Sequence, residues 1–289
     1  MWLYTTGSDA LTPIVLYDYQ PSRKGSCAQN FIEGFRGLVQ CDGYQGYNKL
    51  EDVILVCCLA HARRKFFEAV PAARRKRLKL LDINSDEAIE DISLPDEEEA
   101  KQLLPAEIGL LYCNKLFYLE RTLKDLNPEE RKQQRDVLEQ PVWDQFWNWL
   151  DTLHPTGGSK LGKAVNYAQN HHDTLMNYLL DGRCEISNNR AERKAKSYAI
   201  GRKAFLFHTS ETGAGASAVM YSIVETAKAN NLNIFQYLYT VFLYMPDYTN
   251  SSAGIEQLMP WSEFIKEQCS GLIDVESNVP EKRIPLPHR

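Results

Sequence analysis

The chain lacks several features by which large protein classes are recognised from sequence. It has no glycine-rich phosphate-binding loop and no Gly-x-Ser-x-Gly segment, which argues against P-loop nucleotide hydrolases and α/β-hydrolases. Its seven cysteines are odd in number and irregularly spaced. Because no signal peptide is recognisable either, these cysteines predict reduced thiols in a cytoplasm rather than a disulfide framework.

Long hydrophobic runs are also scarce. The most apolar stretch, 234–245, is too short to span a bilayer and contains Gln236 among several tyrosines. It predicts a core helix, and no membrane partner is expected.

Net positive charge is missing as well, since the formal net charge is -5. The charge is segregated, however, and phosphate binding depends on local basic residues. A first basic block is formed by Arg63, Arg64, Lys65, Arg74, Arg75, Lys76, Arg77 and Lys79. An acidic block follows it, and a second basic cluster runs from Arg183 to Lys203. The first block is explained equally well by a solvated helix face and by contacts to a DNA backbone.

The N-terminal part of the sequence contains strand signals. Two β-prone segments, Trp2–Thr6 and Pro13–Tyr19, predict a hairpin. A short helix is predicted at 28–35 and a third strand at 37–41. The unbroken apolar run at 53–58 predicts a strand buried on both faces.

The middle of the chain changes character. Residues 74–154 are charged and helical in pattern, without a strand signal. Within this region, 128–153 predicts one helix with Trp143, Phe146, Trp147 and Leu150 on one face. A further helix is predicted at 161–180, and Ser187 is a good N-cap for the next one. The order of elements predicts a mixed α/β protein with an all-helical insertion.

Two acidic residues far apart in sequence occupy settings that expose them. Asp42 ends the third predicted strand and precedes Gly43, and Glu192 is expected in the first or second turn of the helix that follows Ser187. Asp-Gly after a strand is most often only a turn, and Glu192 alone would be a solvated helical glutamate. Together, beside basic residues, they indicate Mg²⁺ ligands and phosphoryl transfer on nucleic acid.

Cys58-x-x-His61 has the spacing of half a zinc site. No second pair with metal-ligand spacing occurs in the sequence, so a buried thiol beside a helix-start histidine is the favoured interpretation. The pair His171-His172 predicts exposed polar positions.

Six longer segments carry a more specific signal: Tyr17–Arg23, Asp42–Tyr47, His61–Phe66, Asp181–Arg193, Gly201–Lys203 and Ser222–Lys228. Together they resemble the transposases of the insertion sequence 66 family, a bacterial group with a ribonuclease-H-like DDE catalytic core.

The resemblance implies a fold and its divisions. The implied fold is α/β, a ribonuclease-H-like mixed sheet with a large all-helical insertion. We predict a catalytic core at 1–73 and 160–232, a helical insertion at 74–159, and a C-terminal helix and tail at 233–289.

The resemblance also implies a catalytic site. Asp42 would be the second acid of the triad and Glu192 the third, with two Mg²⁺ ions, or Mn²⁺, as cofactors. Cys58 and His61 would be the cysteine–histidine signature that follows the second acid in many such enzymes. Asn188 and Asn189 are predicted to support the site.

By the same resemblance, the partners are the double-stranded DNA ends of a mobile element and further copies of the chain in a synaptic complex at the bacterial nucleoid. The residues predicted to contact DNA are Arg63, Arg64, Lys65, Arg190, Arg193, Arg202 and Lys203.

One departure from the family pattern concerns the first aspartate. It belongs to a strand upstream of the segment that matches Met1–Tyr4, and neither Asp9 nor Asp18 matches its position. We therefore expect the sheet to lack its central first strand, which a separate N-terminal transposase fragment would supply. The alternatives are an inactive remnant or DNA- or protein-binding fragment, and a general nuclease of the same fold.

Overall fold

A computed structural model describes residues 1–75, 93–248 and 251–270. The chain divides into two compact units. The first unit comprises Met1–Arg23 and Ala191–Arg289, and the second comprises Lys24–Arg190. The domain boundaries expected from sequence stay a prediction. Parts of the predicted insertion and tail, with basic residues Lys76, Arg77 and Lys79, lie outside the described residues.

The described residues form a mixed α/β structure that is mostly helical and contains two small sheets. In chain order, the strands and α-helices are β1 (Trp2–Thr5), β2 (Val15–Asp18), α1 (Gly25–Phe31), β3 (Gly37–Cys41), β4 (Val53–Cys57), α2 (Leu59–Ala69), α3 (Ala72–Arg75), α4 (Glu97–Gln102), α5 (Pro105–Thr122), α6 (Pro128–Leu138), α7 (Gln140–Asp151), α8 (Lys160–Asn170), α9 (His172–Met176), α10 (Asn189–Phe205), α11 (Glu211–Ala229), α12 (Ile234–Tyr244) and α13 (Glu263–Cys269).

In the first unit, β1 and β2 form the predicted antiparallel hairpin, with Trp2 opposite Asp18. Helix α11 packs along β2 and supplies hydroxyl groups to its backbone. Ser222 Oγ accepts the Tyr17 N–H (2.8 Å), and Thr226 Oγ1 accepts the Val15 N–H (3.0 Å). These side chains satisfy the outer edge of β2 and protect it from further strand pairing.

In the second unit, β3 and β4 pair in parallel, with Gly37 opposite Val53 and Cys41 opposite Cys57. Only the end of β4 is fully buried, whereas Ile54 near its start is 44% exposed. The prediction of a strand buried on both faces is therefore wrong for the first part of β4. A two-stranded sheet offers each strand one neighbour, so residues away from the packed helices stay accessible.

The core of the second unit is largely helical. Of the four residues predicted to share one helix face, Trp143, Phe146 and Leu150 are each no more than 2% exposed, and Trp147 is half-buried. The single helix expected from 128 to 153 is instead two, α6 and α7, which meet at Glu139. Pro141 explains the new start, since proline is tolerated in the first turn of a helix and not within one.

Glu139 is a buried carboxyl group within this core. Burial raises its pKa well above 4.5, and the charge of Glu120 adds to that rise. Tyr178 donates its hydroxyl hydrogen to Glu139 Oε2. A raised folded-state pKa means that the proton is held in the folded protein and that stability falls as pH rises through that pKa.

Glu139→Gln is expected to remove this pH dependence. The variant and the wild type should unfold at similar temperatures near pH 5, and the variant should gain relative stability as the pH is raised from there. Thermal unfolding at several pH values measures the difference. The exposed Glu129→Gln is the matched control, and a difference between variant and wild type that stays constant with pH would contradict the prediction.

The described part of the chain contains no helix long and apolar enough to cross a membrane. The helix predicted at 234–245 is confirmed as α12, and Asn233 caps it by accepting the Gln236 N–H (3.1 Å). It is buried on one face only, because Phe235 is 46% and Phe242 63% exposed.

Candidate functional site

Asp42 lies directly after β3, at the carboxyl end of the parallel pair. The last residue of β3, Cys41, is fixed there because its carbonyl accepts the Cys58 N–H (3.1 Å). The half-buried Asp42 carboxylate accepts the Tyr44 N–H at Oδ1 (3.1 Å). Asp42 thus does form the turn that its sequence context favours. Because a carboxylate has about four acceptor positions, this bond leaves it able to bind a cation.

Gly43 allows this turn to pack closely. Its φ is +75°, and a Cβ built on it would lie 2.8 Å from the Tyr167 hydroxyl and 3.3 Å from the His171 ring. Glycine is the residue that adopts this backbone conformation without strain. The contact brings two side chains from the 160–171 region beside Asp42.

Gly43→Ala is expected to destabilise the fold by about 1–3 kcal/mol, because it adds both backbone strain and a clash. Urea unfolding measures the change. Gly157→Ala is the control, since a Cβ there meets nothing within 4 Å. Adding Tyr167→Phe to Gly43→Ala should recover part of the loss by removing the clashing oxygen. Equal stabilities for Gly43→Ala and Gly157→Ala would contradict the prediction.

Two cysteines and a histidine lie beneath the Asp42 turn. The sulfurs of Cys41 and Cys57 are 3.9 Å apart, and Cys57 Sγ is 3.6 Å from His171 Nδ1. The hydrogen bond from Cys41, together with His171, lowers the pKa of Cys57 to about 5, and the pKa of Cys41 is raised by the same bond. His171 is therefore a half-buried contact of a cysteine, and its predicted exposure is wrong, whereas His172 is exposed as predicted.

Tyr167 completes this neighbourhood. Its hydroxyl oxygen is buried and has no hydrogen-bond partner among the described residues, and burial raises its pKa. Lys65 Nζ lies 5.0 Å from the centroid of the Tyr167 ring. Tyr167 and His171 were not predicted as site residues, and the only sequence signal was the histidine pair, which predicted exposed polar positions.

Cys58 has a structural role at the corner between β4 and α2. It is fully buried, and its sulfur accepts the Asn188 N–H (3.1 Å). The next residue, Leu59, donates its N–H to the Ile186 carbonyl (3.1 Å). These two bonds tie the 186–188 segment to the end of β4.

His61 is half-buried in the first turn of α2, and one of its ring nitrogens lies within 4.8 Å of the Cys58 sulfur. Helix α10 starts at Asn189, two residues beyond the predicted cap Ser187, which is buried. Glu192 is half-buried and lies in the first turn of α10, as predicted.

Asp42 belongs to the second unit and Glu192 to the first, so their pairing stays a prediction. Cys58, His61, Asn188 and Asn189 all belong to the second unit.

The basic residues differ in exposure. Arg63 is only 9% exposed, and its Nε donates to Asn114 Oδ1 (2.7 Å) inside the protein. Its guanidinium is therefore engaged in packing α2 against α5. The exposed members of the predicted set are Arg64, Arg193, Arg202 and Lys203, and the half-buried ones are Lys65 and Arg190.

Comparison with known proteins identifies the family. The family model described as "Transposase IS66 family" matches residues 1–216, and the model "IS66 C-terminal element" matches residues 222–261. The chain belongs to the insertion sequence 66 transposase family. The matched region includes Asp42, Glu192 and every basic residue discussed above.

Curated relatives come from Sinorhizobium fredii. The "Uncharacterized protein y4hP" is 28% identical over 259 residues, which cover 86% of this chain and 44% of the relative. The "Uncharacterized protein y4jD" is 28% identical over 261 residues, covering 86% of this chain and 46% of the relative. The chain thus spans less than half the length of these relatives. No solved structure matches significantly.

Proposed function

We propose that this chain carries the C-terminal catalytic portion of a DNA transposase, which cuts and joins phosphodiesters at the ends of an insertion sequence. One arrangement in the second unit carries the proposal. Asp42 follows the carboxyl end of β3, and the segment just before Glu192 is tied through Ile186 and Asn188 to the neighbouring end of β4. Ends of adjacent parallel strands are common places for catalytic groups.

The residues fit the metal that the family implies. Mg²⁺ prefers oxygen ligands, and Asp42 and Glu192 offer carboxylates. Bound Mg²⁺, or Mn²⁺ in its place, would supply charge stabilisation to a reacting phosphodiester and activate an attacking hydroxyl group. We assign Cys58 to support of the site, because its sulfur already accepts a backbone N–H.

Each of the two sheets has one edge at which a further strand could pair. Side chains of α11 cover the outer edge of β2, and Asn177 Nδ2 donates to the Leu55 carbonyl (2.8 Å) at the outer edge of β4. Among the described residues, β1 and β3 each pair with one strand only. We infer that an additional transposase segment pairs with one of these edges and brings the first catalytic aspartate.

The test is cleavage of element-end DNA in Mg²⁺ by this chain alone and with an added upstream portion of such a transposase. We expect cleavage at the terminal repeats only when both parts are present. Cleavage of scrambled DNA at the same rate would favour a general nuclease. Specific DNA binding without cleavage in either case would favour the second candidate, a non-catalytic binding fragment, which the two-stranded sheets also support.

We further propose that Arg64, Lys65, Arg190, Arg193, Arg202 and Lys203 contact the DNA backbone. Arg63 is left out because its guanidinium is buried against Asn114.

Replacing Arg202 and Lys203 together by alanine is expected to reduce the salt dependence of DNA binding. Each phosphate contact contributes about one unit to the slope of log K against log salt, so the slope should fall by about two. Fluorescence anisotropy at several salt concentrations measures it. Replacing the exposed Lys101 and Lys266 by alanine is the charge-matched control, and equal slopes in both double variants would contradict the assignment.

A further inference from the structure

The loop before α10 is held by a single buried guanidinium group in α6. Arg135 is fully buried, and its Nε and Nη2 bind the two carboxylate oxygens of Glu120 at 2.6 and 2.9 Å. Its Nη1 donates to the carbonyls of Tyr178 (2.8 Å) and Asp181 (3.0 Å). Its Nη2 also donates to the carbonyl of Cys184 (2.7 Å).

This arrangement uses the full donor capacity of arginine. A guanidinium group has five N–H donors in a fixed plane, and Arg135 meets five acceptors. Three of these acceptors are backbone carbonyls distributed over the 178–184 segment. Lysine has three donors on one nitrogen and cannot reproduce this geometry.

A second contact between α6 and the same loop is steric. A Cβ on Gly182 would lie 1.8 Å from the Pro128 carbonyl oxygen, so the loop backbone lies directly against the start of α6. Arg131 Nη1 also donates to the Gly182 carbonyl (3.3 Å).

The other end of the loop is tied to the strands. Ile186 accepts the Leu59 N–H, and Asn188 donates its N–H to Cys58 Sγ. Gln40, which lies two residues before Asp42 in sequence, donates from its side chain to the Glu185 carbonyl. The 181–188 loop is therefore held between α6 and the ends of β3 and β4.

We propose that Arg135 is a positioning residue. By binding the carbonyls of Tyr178, Asp181 and Cys184, it fixes the loop that leads into α10 and Glu192 against α6. The role in DNA cutting rests on the proposed function above, whereas the hold on the loop does not. This assigns a function to part of the helical segment between the two acids.

Hydrogen exchange on the full chain, followed by mass spectrometry, tests the hold on the loop. Arg135→Lys retains the positive charge but loses carbonyl contacts, so amides in 184–190 should exchange about tenfold faster or more. Amides at 64–69, in the part of α2 beyond the Leu59 N–H that bonds to Ile186, should keep their wild-type rates. Arg36→Lys is the control, because Arg36 is 82% exposed and pairs only distantly, at 3.9 Å, with Asp52. Unchanged exchange in 184–190 would overturn the proposal.

Arg135→Met removes every donor and is expected to increase exchange in 184–190 more than Arg135→Lys does. If Arg135→Met fails to fold, the exchange rates of Arg135→Lys still test the proposal. In the complemented cleavage assay, Arg135→Lys should lower the cleavage rate while DNA affinity stays within about twofold of wild type. A faster-exchanging loop with wild-type cleavage would overturn the role in cutting. If the loop exchanges faster in Arg135→Lys but the wild type cuts no DNA, the contact between Arg135 and the loop is supported. That result would count only against the proposed transposase function.

Discussion

Asp42→Asn is expected to reduce Mg²⁺-dependent cleavage of element-end DNA by at least about a hundredfold, the scale seen when one group that stabilises transition-state charge is lost. The fold should be unaffected. An asparagine side-chain oxygen can still accept the Tyr44 N–H that the Asp42 carboxylate accepts at 3.1 Å. The substitution therefore removes the charge and keeps the turn.

The same variant can be examined without an activity assay. Calorimetric titration of the chain with Mn²⁺ should show binding that is weakened about tenfold or more by Asp42→Asn, since carboxylate charge is a main source of affinity for hard cations. Asp52→Asn is the matched control. Asp52 is exposed and has a φ of 60°, a conformation that asparagine tolerates well.

Glu192→Gln should have an effect of similar size on cleavage and on Mn²⁺ affinity if the two carboxylates serve the same ions. Glu211→Gln controls for the loss of an acid in the first turn of a helix, because Glu211 occupies that place in α11. If Asp42→Asn and Glu192→Gln both leave cleavage at the wild-type rate, the assignment of these residues as the catalytic acids is wrong.

Local sequence patterns were sufficient to predict several elements of each unit. The hairpin, the strand that ends before Asp42 and the first-turn place of Glu192 follow from alternation, turn residues and helix signals. Each of these features depends on residues close together in sequence. The start of α10 was displaced from Ser187 because tertiary contacts of Ile186 and Asn188 hold that segment in a non-helical conformation.

Other contacts could not be predicted because the partners are far apart in sequence and include backbone groups, which every residue has. Arg135 binds backbone carbonyls 43, 46 and 49 residues further along the chain, and a carbonyl has no sequence signature. His171 meets Cys57 across 114 residues. The burial of Arg63 was missed for a related reason, since its run of basic neighbours indicated a solvated or DNA-facing surface.

The hydroxyl of Thr226 illustrates how a family motif can serve the fold. Thr226 Oγ1 accepts the Val15 N–H at 3.0 Å and donates to the Val15 carbonyl at 2.9 Å, and the residue is 5% exposed. One side chain on α11 thus replaces the strand neighbour that β2 lacks on that side. The Ser222–Lys228 motif therefore includes residues whose side chains form hydrogen bonds with the backbone of the edge strand β2.

Thr226→Val is expected to destabilise the protein by about 2–4 kcal/mol, because it leaves a buried N–H and a buried carbonyl of Val15 without partners at no gain in volume. Chemical denaturation measures the loss. Thr226→Ser is the informative control, since it keeps the hydroxyl and loses a methyl group, for about 0.5–1.5 kcal/mol. If packing of the methyl group were what α11 contributes at this position, serine would be the more damaging substitution. The hydrogen-bonded geometry predicts the reverse order, with valine worse than serine.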